Sequence, residues 1–288
     1  MTQGCPTGDA RRKTRSLPGR VGPQAISRLG VCGWPVAHSR SPRMHNAALE
    51  ALGLRDWRYQ LLPVPPERFA ETVRALPELG FRGVNVTIPH KEAALALADE
   101  ATETARAVGA ANTLTFKDGA VHADNTDVTG FLSALPESVY DRDALVLGAG
   151  GSARAVLYAL RQAGARSIHV WNRTPERAEA LAREFGAIPG VAGAEVIVNC
   201  TAIGLEDPES TFKALPLRAD EVGAGHLVVD LVYRPGGTVL LKTASAGGAA
   251  VAGGLEILVA QGAASLERWT GRTAPVEAMW EAVRDVPA

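Results

Sequence analysis

The segment Ala144–Leu147 is short, wholly apolar and followed at once by Gly148-Ala149-Gly150-Gly151-Ser152-Ala153, after which the chain has helical character to Leu160. A strand that must turn sharply into a helix on small residues has few folds open to it. The Gly148-x-Gly150-x-x-Ala153 spacing in that context is what a parallel βαβ unit uses to bring its backbone against a pyrophosphate, with the free N–H groups of the helix start facing the ligand. The following segments repeat the pattern. Ser167–Trp171, Glu195–Asn199 and Leu227–Val232 read as strands, with a helix over Thr174–Phe185, and together they make a doubly wound parallel sheet. Gly253-Gly254 opens a long apolar helix that runs to about Trp269.

The first half alternates in the same way. Strands are expected at Ile26–Cys32, Trp57–Val64 and Gly83–Ile88, and helices from Ser41-Pro42 to Gly53, from Pro66 to Leu76 and from Pro89 onward. Ser41 is read as the N-cap of its helix. Ala111–Phe116 and Ala120–Ala123 flank Asp118-Gly119, a strong hairpin signal. The expected sheet is mostly parallel with one antiparallel edge. Two domains fit the 288 residues, and 46% hydrophobic residues are enough to fill both cores. Asp127 to Leu135 is read as the helix connecting them.

Composition removes several classes. A net charge of −1 offers no basic field for nucleic acid or an anionic membrane. The three cysteines, Cys5, Cys32 and Cys200, are far apart, and the six histidines lack metal-ligand spacing, so no disulfide framework or metal site is expected and the compartment is read as cytoplasmic. No apolar run is long enough to span a bilayer. Residues 1–25 carry five cationic side chains among Gly, Pro and Thr and read as a flexible tail.

Three clusters carry chemistry. At the end of the second strand of the glycine-turn unit stand Asn172-Arg173-Thr174, with Arg177 one helical turn on, where a carboxylate would select NAD. Guanidinium groups and a hydroxyl suit a 2′-phosphate, so the cofactor is read as NADP. Ser39 and Ser41 set two hydroxyls beside a helix start, a small site for a carboxylate. Lys91 lies at a helix start, the wrong end of the dipole for a cation, and needs a counter-charge that Asp127 can supply. Such a pair can move a proton while a nicotinamide moves a hydride.

The runs Gly33–Pro42, Gly83–Lys91, Ala110–Leu114, Asn125-Thr126-Asp127, Asn172-Arg173-Thr174 and Asp230–Tyr233, together with Gln261, resemble those of shikimate dehydrogenases, in the family's order from about residue 29 to the C-terminus. The resemblance implies an α/β protein with a mostly parallel substrate domain over 26–126, a Rossmann-type NADP domain over 127–253, and C-terminal helices over 254–288 that return to the first domain. It implies interconversion of 3-dehydroshikimate and shikimate in aromatic amino-acid biosynthesis. Lys91 and Asp127 would be catalytic. Ser39 and Ser41 would hold the substrate carboxylate, Asn85, Thr87, Asn112 and Gln261 the ring hydroxyls, and Tyr233 would orient the substrate. The nucleotide would rest on Gly148, Gly150, Gly151, Ser152, Ala153, Asn172, Arg173, Thr174, Arg177 and Gly254. The small-molecule substrate is the partner implied, and monomer and homodimer both remain open.

Two segments depart from the family's pattern. Gly254-Leu255-Glu256-Ile257-Leu258 stands where Gly-Leu-Gly-Met-Leu is common, and Asn199-Cys200-Thr201-Ala202 where Asn-Ala-Thr-Ser is common. Quinate is an alternative substrate, and a regulator without turnover is a rival from another class. Arg173 and Ser41 speak against an NAD-using quinate enzyme, and the Lys91–Asp127 pair against a regulator.

Overall fold

A computed structural model describes Met1 and residues 26–284, so the tail expected over 1–25 lies, Met1 apart, outside the described residues. The first unit runs β1 (Ser27–Gly33), α1 (Ser41–Ala51), β2 (Trp57–Pro63), α2 (Phe69–Ala75), β3 (Phe81–Val86), α3 (Lys91–Leu97), β4 (Glu100–Ala101), α4 (Glu103–Val108), β5 (Thr113–Lys117) and β6 (Ala120–Asp124). Its sheet has the order β2-β1-β3-β5-β6-β4. Only β5 is reversed, antiparallel to β3 on one side and β6 on the other. The sheet is mostly parallel as expected, but the reversed strand is interior and not at an edge. Asp118 (φ 52°) and Gly119 (φ 80°) both take the left-handed region, which closes the β5–β6 hairpin with the twist that its strands need.

The second unit runs α5 (Thr126–Ala134), β7 (Asp143–Leu147), α6 (Gly151–Gln162), β8 (Ser167–Trp171), α7 (Pro175–Phe185), β9 (Ile188–Pro189), β10 (Val196–Asn199), α8 (Thr211–Ala214), β11 (Leu227–Asp230), α9 (Val239–Ala246) and β12 (Ala250–Gly253). The sheet order is β12-β11-β10-β7-β8-β9 and all its pairings are parallel. The strand order reverses between β7 and β10, so a crevice opens where the glycine turn leaves β7. The central strands β7, β10 and β11 are rich in Val, Ile and Leu because both faces of the sheet are covered by apolar cores.

The chain then crosses back. Helix α10 (Gly254–Thr270) lies between the units and α11 (Val276–Arg284) packs on α1. Trp269 of α10 donates from Nε1 to the Leu114 carbonyl at 3.0 Å, and Gly83 lies so close beneath its indole that a Cβ there would collide. Leu266, Val259, Met279 and Val283 join Leu29, Val31, Met44 and Leu49 in one core. Helices α5 and α10 meet closely, since a Cβ on Gly130 would lie 2.6 Å from that of Gln261. The expected helix over 66–76 is a short 3₁₀ turn at Pro66–Arg68 followed by α2. The linking elements β4, α4, β9, α8, α9 and β12 are short and were not legible as separate elements.

Candidate active site

The strand ends of both sheets and the start of α10 surround one cavity of about 170 Å³. A space of about 150 Å³ holds one six-membered ring. Ser39, Ser41, Asn85, Thr87, Lys91, Asn112, Asp127, Tyr233 and Gln261 all line it. Every residue to which the resemblance assigned catalysis or substrate contact is thus brought to one place. Val31, Val36, Val86, Leu231, Ile257 and Leu258 give it apolar walls.

Lys91 is the first residue of α3. The turn before it is anchored by His90, whose Nε2 lies 2.7 Å from the Val64 carbonyl and whose ring stacks on Phe69 at 4.3 Å. This histidine is therefore a structural peg, not a ligand group. The Lys91 side chain is only 9% exposed, and its ammonium donates to Asp127 Oδ2 at 2.6 Å and to Ser152 Oγ at 3.0 Å. Burying an ammonium at a helix N-terminus is unfavourable twice over, by desolvation and by the dipole, so the carboxylate is a structural necessity as well as a chemical partner. Asp127 stands in the first turn of α5, where the dipole favours an anion. Asn125 caps that helix by accepting from the Asp127 N–H at 3.2 Å. Asp127 Oδ1 accepts from Asn112 Nδ2 at 2.8 Å. Both carboxylate oxygens are thereby fixed by donors from other elements.

Behind the pair lies a buried polar network that the sequence did not disclose. Asn112 Nδ2 also approaches Thr126 Oγ1 (3.0 Å) and Gln261 Oε1 (3.3 Å), and its Oδ1 accepts from the Thr126 N–H at 2.7 Å. Asn85 donates to Ser265 Oγ at 2.8 Å and accepts from Tyr59 OH at 2.8 Å. Thr113 Oγ1 lies 3.0 Å from Ser265 Oγ. Tyr59, Thr113 and Ser265 were missed. One signal was available for Ser265: it follows Gln261 by four residues on α10 and so shares its face. His38, also missed as a lining residue, sits at the exposed mouth.

At the other end of the cavity the serines differ from expectation. Helix α1 begins at Ser41, and Arg40, not Ser41, occupies the N-cap position without a side-chain cap. Ser39 Oγ instead accepts from the Ser41 N–H at 3.3 Å. The reason is local: with Pro42 in the first turn one orphan N–H is already gone, and Ser39 reaches forward to the one before it. The guanidinium of Arg40 lies 5.6 Å from the centre of the Tyr233 ring and donates to the Val283 carbonyl at 2.9 Å. Burial raises the Tyr233 phenol above its usual range, with Arg40 and Ser39 opposing. Beside this wall, burial pushes the Asp230 carboxyl up to about 6, although Asn199 Nδ2 (2.9 Å) and the Val232 N–H (3.0 Å) both donate to it.

The glycine turn faces the cavity across the cleft. Gly148 takes φ +117°, and its backbone lies against Cys200 at the end of β10. Gly150 has open space where a Cβ would stand, Ala153 is fully buried under the turn, and α6 starts at Gly151 with no side chain capping its N–H groups. Those are the features of a phosphate cradle. At the end of β8, Arg173, Thr174 and Arg177 are exposed, and Asn172 Nδ2 donates to the Thr174 carbonyl at 3.0 Å. Thr174 holds the N-cap position of α7 without a side-chain cap bond. Gly254 lines the cavity and is pressed against the Leu231 carbonyl so closely that any Cβ would collide.

Known proteins share both the sequence and the fold of this chain. Residues 31–114 match the shikimate dehydrogenase substrate binding domain, 132–196 match shikimate / quinate 5-dehydrogenase, and 254–284 match the shikimate 5′-dehydrogenase C-terminal domain. The shikimate dehydrogenase (NADP(+)) of Paracoccus denitrificans is 45% identical over 271 residues, 88% of this chain and 94% of that protein. The shikimate 5-dehydrogenase of Thermus thermophilus, solved in complex with NADP(H) and shikimate, superposes with a TM-score of 0.81 at 44% identity, covering 90% of this chain and 99% of the other. The Aquifex aeolicus shikimate dehydrogenase gives a TM-score of 0.83 at 36% identity, covering 90% and 98%.

Proposed function

This chain belongs to the shikimate dehydrogenase family, and from that premise we propose how its cleft works. The reaction is the NADP-dependent, reversible reduction of 3-dehydroshikimate to shikimate in aromatic amino-acid biosynthesis. The observation that carries the mechanism is the buried Lys91–Asp127 pair, 2.6 Å apart, in a ring-sized cavity between the carboxylate-binding serines and the glycine turn.

The residues fit NADP. The space at Gly150, the uncapped start of α6 and the cationic end of β8 suit a pyrophosphate and a 2′-phosphate. Gly148, Gly150, Gly151 and Ala153 would form the cradle, with Asn172, Arg173, Thr174 and Arg177 at the 2′-phosphate and Gly254 beside the nicotinamide end. When bound, the cofactor supplies the hydride. The protein's own part is to hold the acid and to move the proton. Ser39 and Ser41 hold the carboxylate, with Tyr233 closing that end. Thr87, Asn112 and Gln261 orient the ring hydroxyls, and Asn85 braces Asn112 through its carbonyl and Gln261 through Ser265. As the carbonyl is reduced, negative charge grows on its oxygen. The Lys91 ammonium stabilises that charge and delivers the proton, while Asp127 keeps the ammonium aimed.

We divide the chain into a substrate domain over 26–126, a nucleotide domain over 127–253 and returning helices from 254, since the two sheets separate near Asp127 and α10 joins the first core. No helix among the described residues is long and apolar enough to cross a membrane. Among the described residues Cys32 and Cys200 are unpaired thiols, which favours a reducing, cytoplasmic setting. The test is an absorbance assay with shikimate or quinate against NADP or NAD. Shikimate with NADP should give the highest kcat/KM. Preference for quinate would overturn shikimate as the substrate, and preference for NAD the assignment of Arg173.

A further inference from the structure

Ser152 was grouped with the nucleotide cradle by its place in the glycine turn, yet its hydroxyl points elsewhere. Its Oγ lies 3.0 Å from Lys91 Nζ, the one hydrogen bond of that hydroxyl among the described residues. The contact crosses the cleft, because Lys91 begins α3 of the first unit and Ser152 is in the first turn of α6 in the second. The backbone reinforces it: a Cβ on Gly151 would lie 3.0 Å from that of Lys91, so the turn rests directly on the lysine stem. An ammonium has three N–H bonds and no acceptor. Asp127 and Ser152 take two of them and leave one for a ligand oxygen.

We propose that Ser152 is a positioning residue for Lys91: its hydroxyl, carried on the nucleotide-binding turn, holds the ammonium nitrogen in place so that the remaining N–H faces the carbonyl oxygen. The carboxylate alone holds the ammonium at one point and leaves the long side chain free to swing about that contact. A second acceptor from the opposite wall removes that freedom and ties the placement of the proton donor to the seating of the nucleotide turn. This rests on the reading of Lys91 as the proton donor. It assigns Ser152 a role in kcat, in place of a role in nucleotide affinity.

The experiment compares Ser152→Ala and Ser152→Thr with the unmodified protein, reading NADPH affinity by fluorescence titration and kcat and KM for 3-dehydroshikimate by NADPH absorbance. Ser152→Ala should lower kcat by about tenfold, the size expected for a partly solvated hydrogen bond to a charged group. NADPH affinity should stay within about twofold, below the effect of a lost charged contact, and Ser152→Thr should recover most of the rate. In a Lys91→Ala background, Ser152→Ala should add no further loss, because both changes act on the same step. Unchanged kcat in Ser152→Ala, a loss confined to NADPH affinity, or the same loss of kcat without Lys91 would each overturn the proposal. Absence of turnover in the unmodified protein would overturn it together with the function on which it rests.

Discussion

Replacing Asp127 by Asn keeps the size of the side chain and removes its charge. The structure makes this change far from silent. Asp127 Oδ1 accepts from Asn112 Nδ2 at 2.8 Å and Oδ2 accepts from Lys91 Nζ at 2.6 Å. An amide has one oxygen and one NH₂, so either orientation sets a donor against a donor. The Lys91 side chain is 9% exposed and Asp127 18%, so water can relieve little of the conflict. A hydrogen bond to a charged group contributes about 1.5–3 kcal/mol, and an unpaired buried donor adds a penalty of similar order. Allowing for the open side of the cleft, about 2–4 kcal/mol of transition-state stabilisation is lost, or about 30- to 10³-fold in kcat. The assay is NADPH absorbance with saturating 3-dehydroshikimate, alongside thermal unfolding, which should show a lower Tm. A variant with kcat within about threefold of the parent would refute the reasoning, since that corresponds to less than one hydrogen bond.

Lys91→Ala should lower kcat by about 10²–10⁴-fold with a smaller change in KM; near-normal turnover would remove Lys91 from the mechanism. Arg173→Asp should weaken NADPH more than NADH, and equal losses in the two Kd values would show that this side chain does not meet the 2′-phosphate. His45 supplies a pH prediction. It is fully buried, stacks on Tyr59 at 4.2 Å, and neither ring nitrogen has a hydrogen-bond partner among the described residues. Burial lowers it from 6.5 to about 3, with Asn85 opposing only in part. Between those values the unfolded chain binds more protons than the folded one, so stability falls as pH falls, by about 3 kcal/mol at pH 4. His45→Phe should flatten that decline in denaturant titrations from pH 7 to 4, and an unchanged slope would locate the acid sensitivity elsewhere. Asp230, raised to about 6, acts in the opposite sense between its ordinary value of 3.8 and 6.

The parts of this molecule that were legible in its sequence are those written in local chemistry. The turn at Gly148 to Ala153 could hardly be anything else between an apolar strand and a helix, and the Asp118-Gly119 hairpin formed as read. What the hairpin signal could not tell was its neighbour. Strand β5 inserts beside β3 through pairs such as Asn85↔Thr113, a choice made by long-range register and not by the turn. The strands β4 and β9 have two residues each, too few to display any alternation. In the site, Lys91 and Asp127 stood out because a cation at a helix start needs an explanation. Thr113, Tyr59 and Ser265 did not, since small buried hydroxyls and a core tyrosine look like ordinary packing until Asn85 and Asn112 are seen to depend on them. The role of Ser152 was hidden for a different reason. Its motif has a sufficient explanation in the nucleotide, and the lysine it touches is 61 residues away in the chain.

The most direct trial of the account is a crystal structure of the ternary complex with NADP⁺ and shikimate, read at a single distance. Proton delivery by Lys91 requires its Nζ within about 3.2 Å of the oxygen on the ring carbon that is oxidised, with Asp127 still bound to the same ammonium. A lysine turned to solvent, with another donor or a water chain at that oxygen, would contradict the mechanism whatever the activity of the protein.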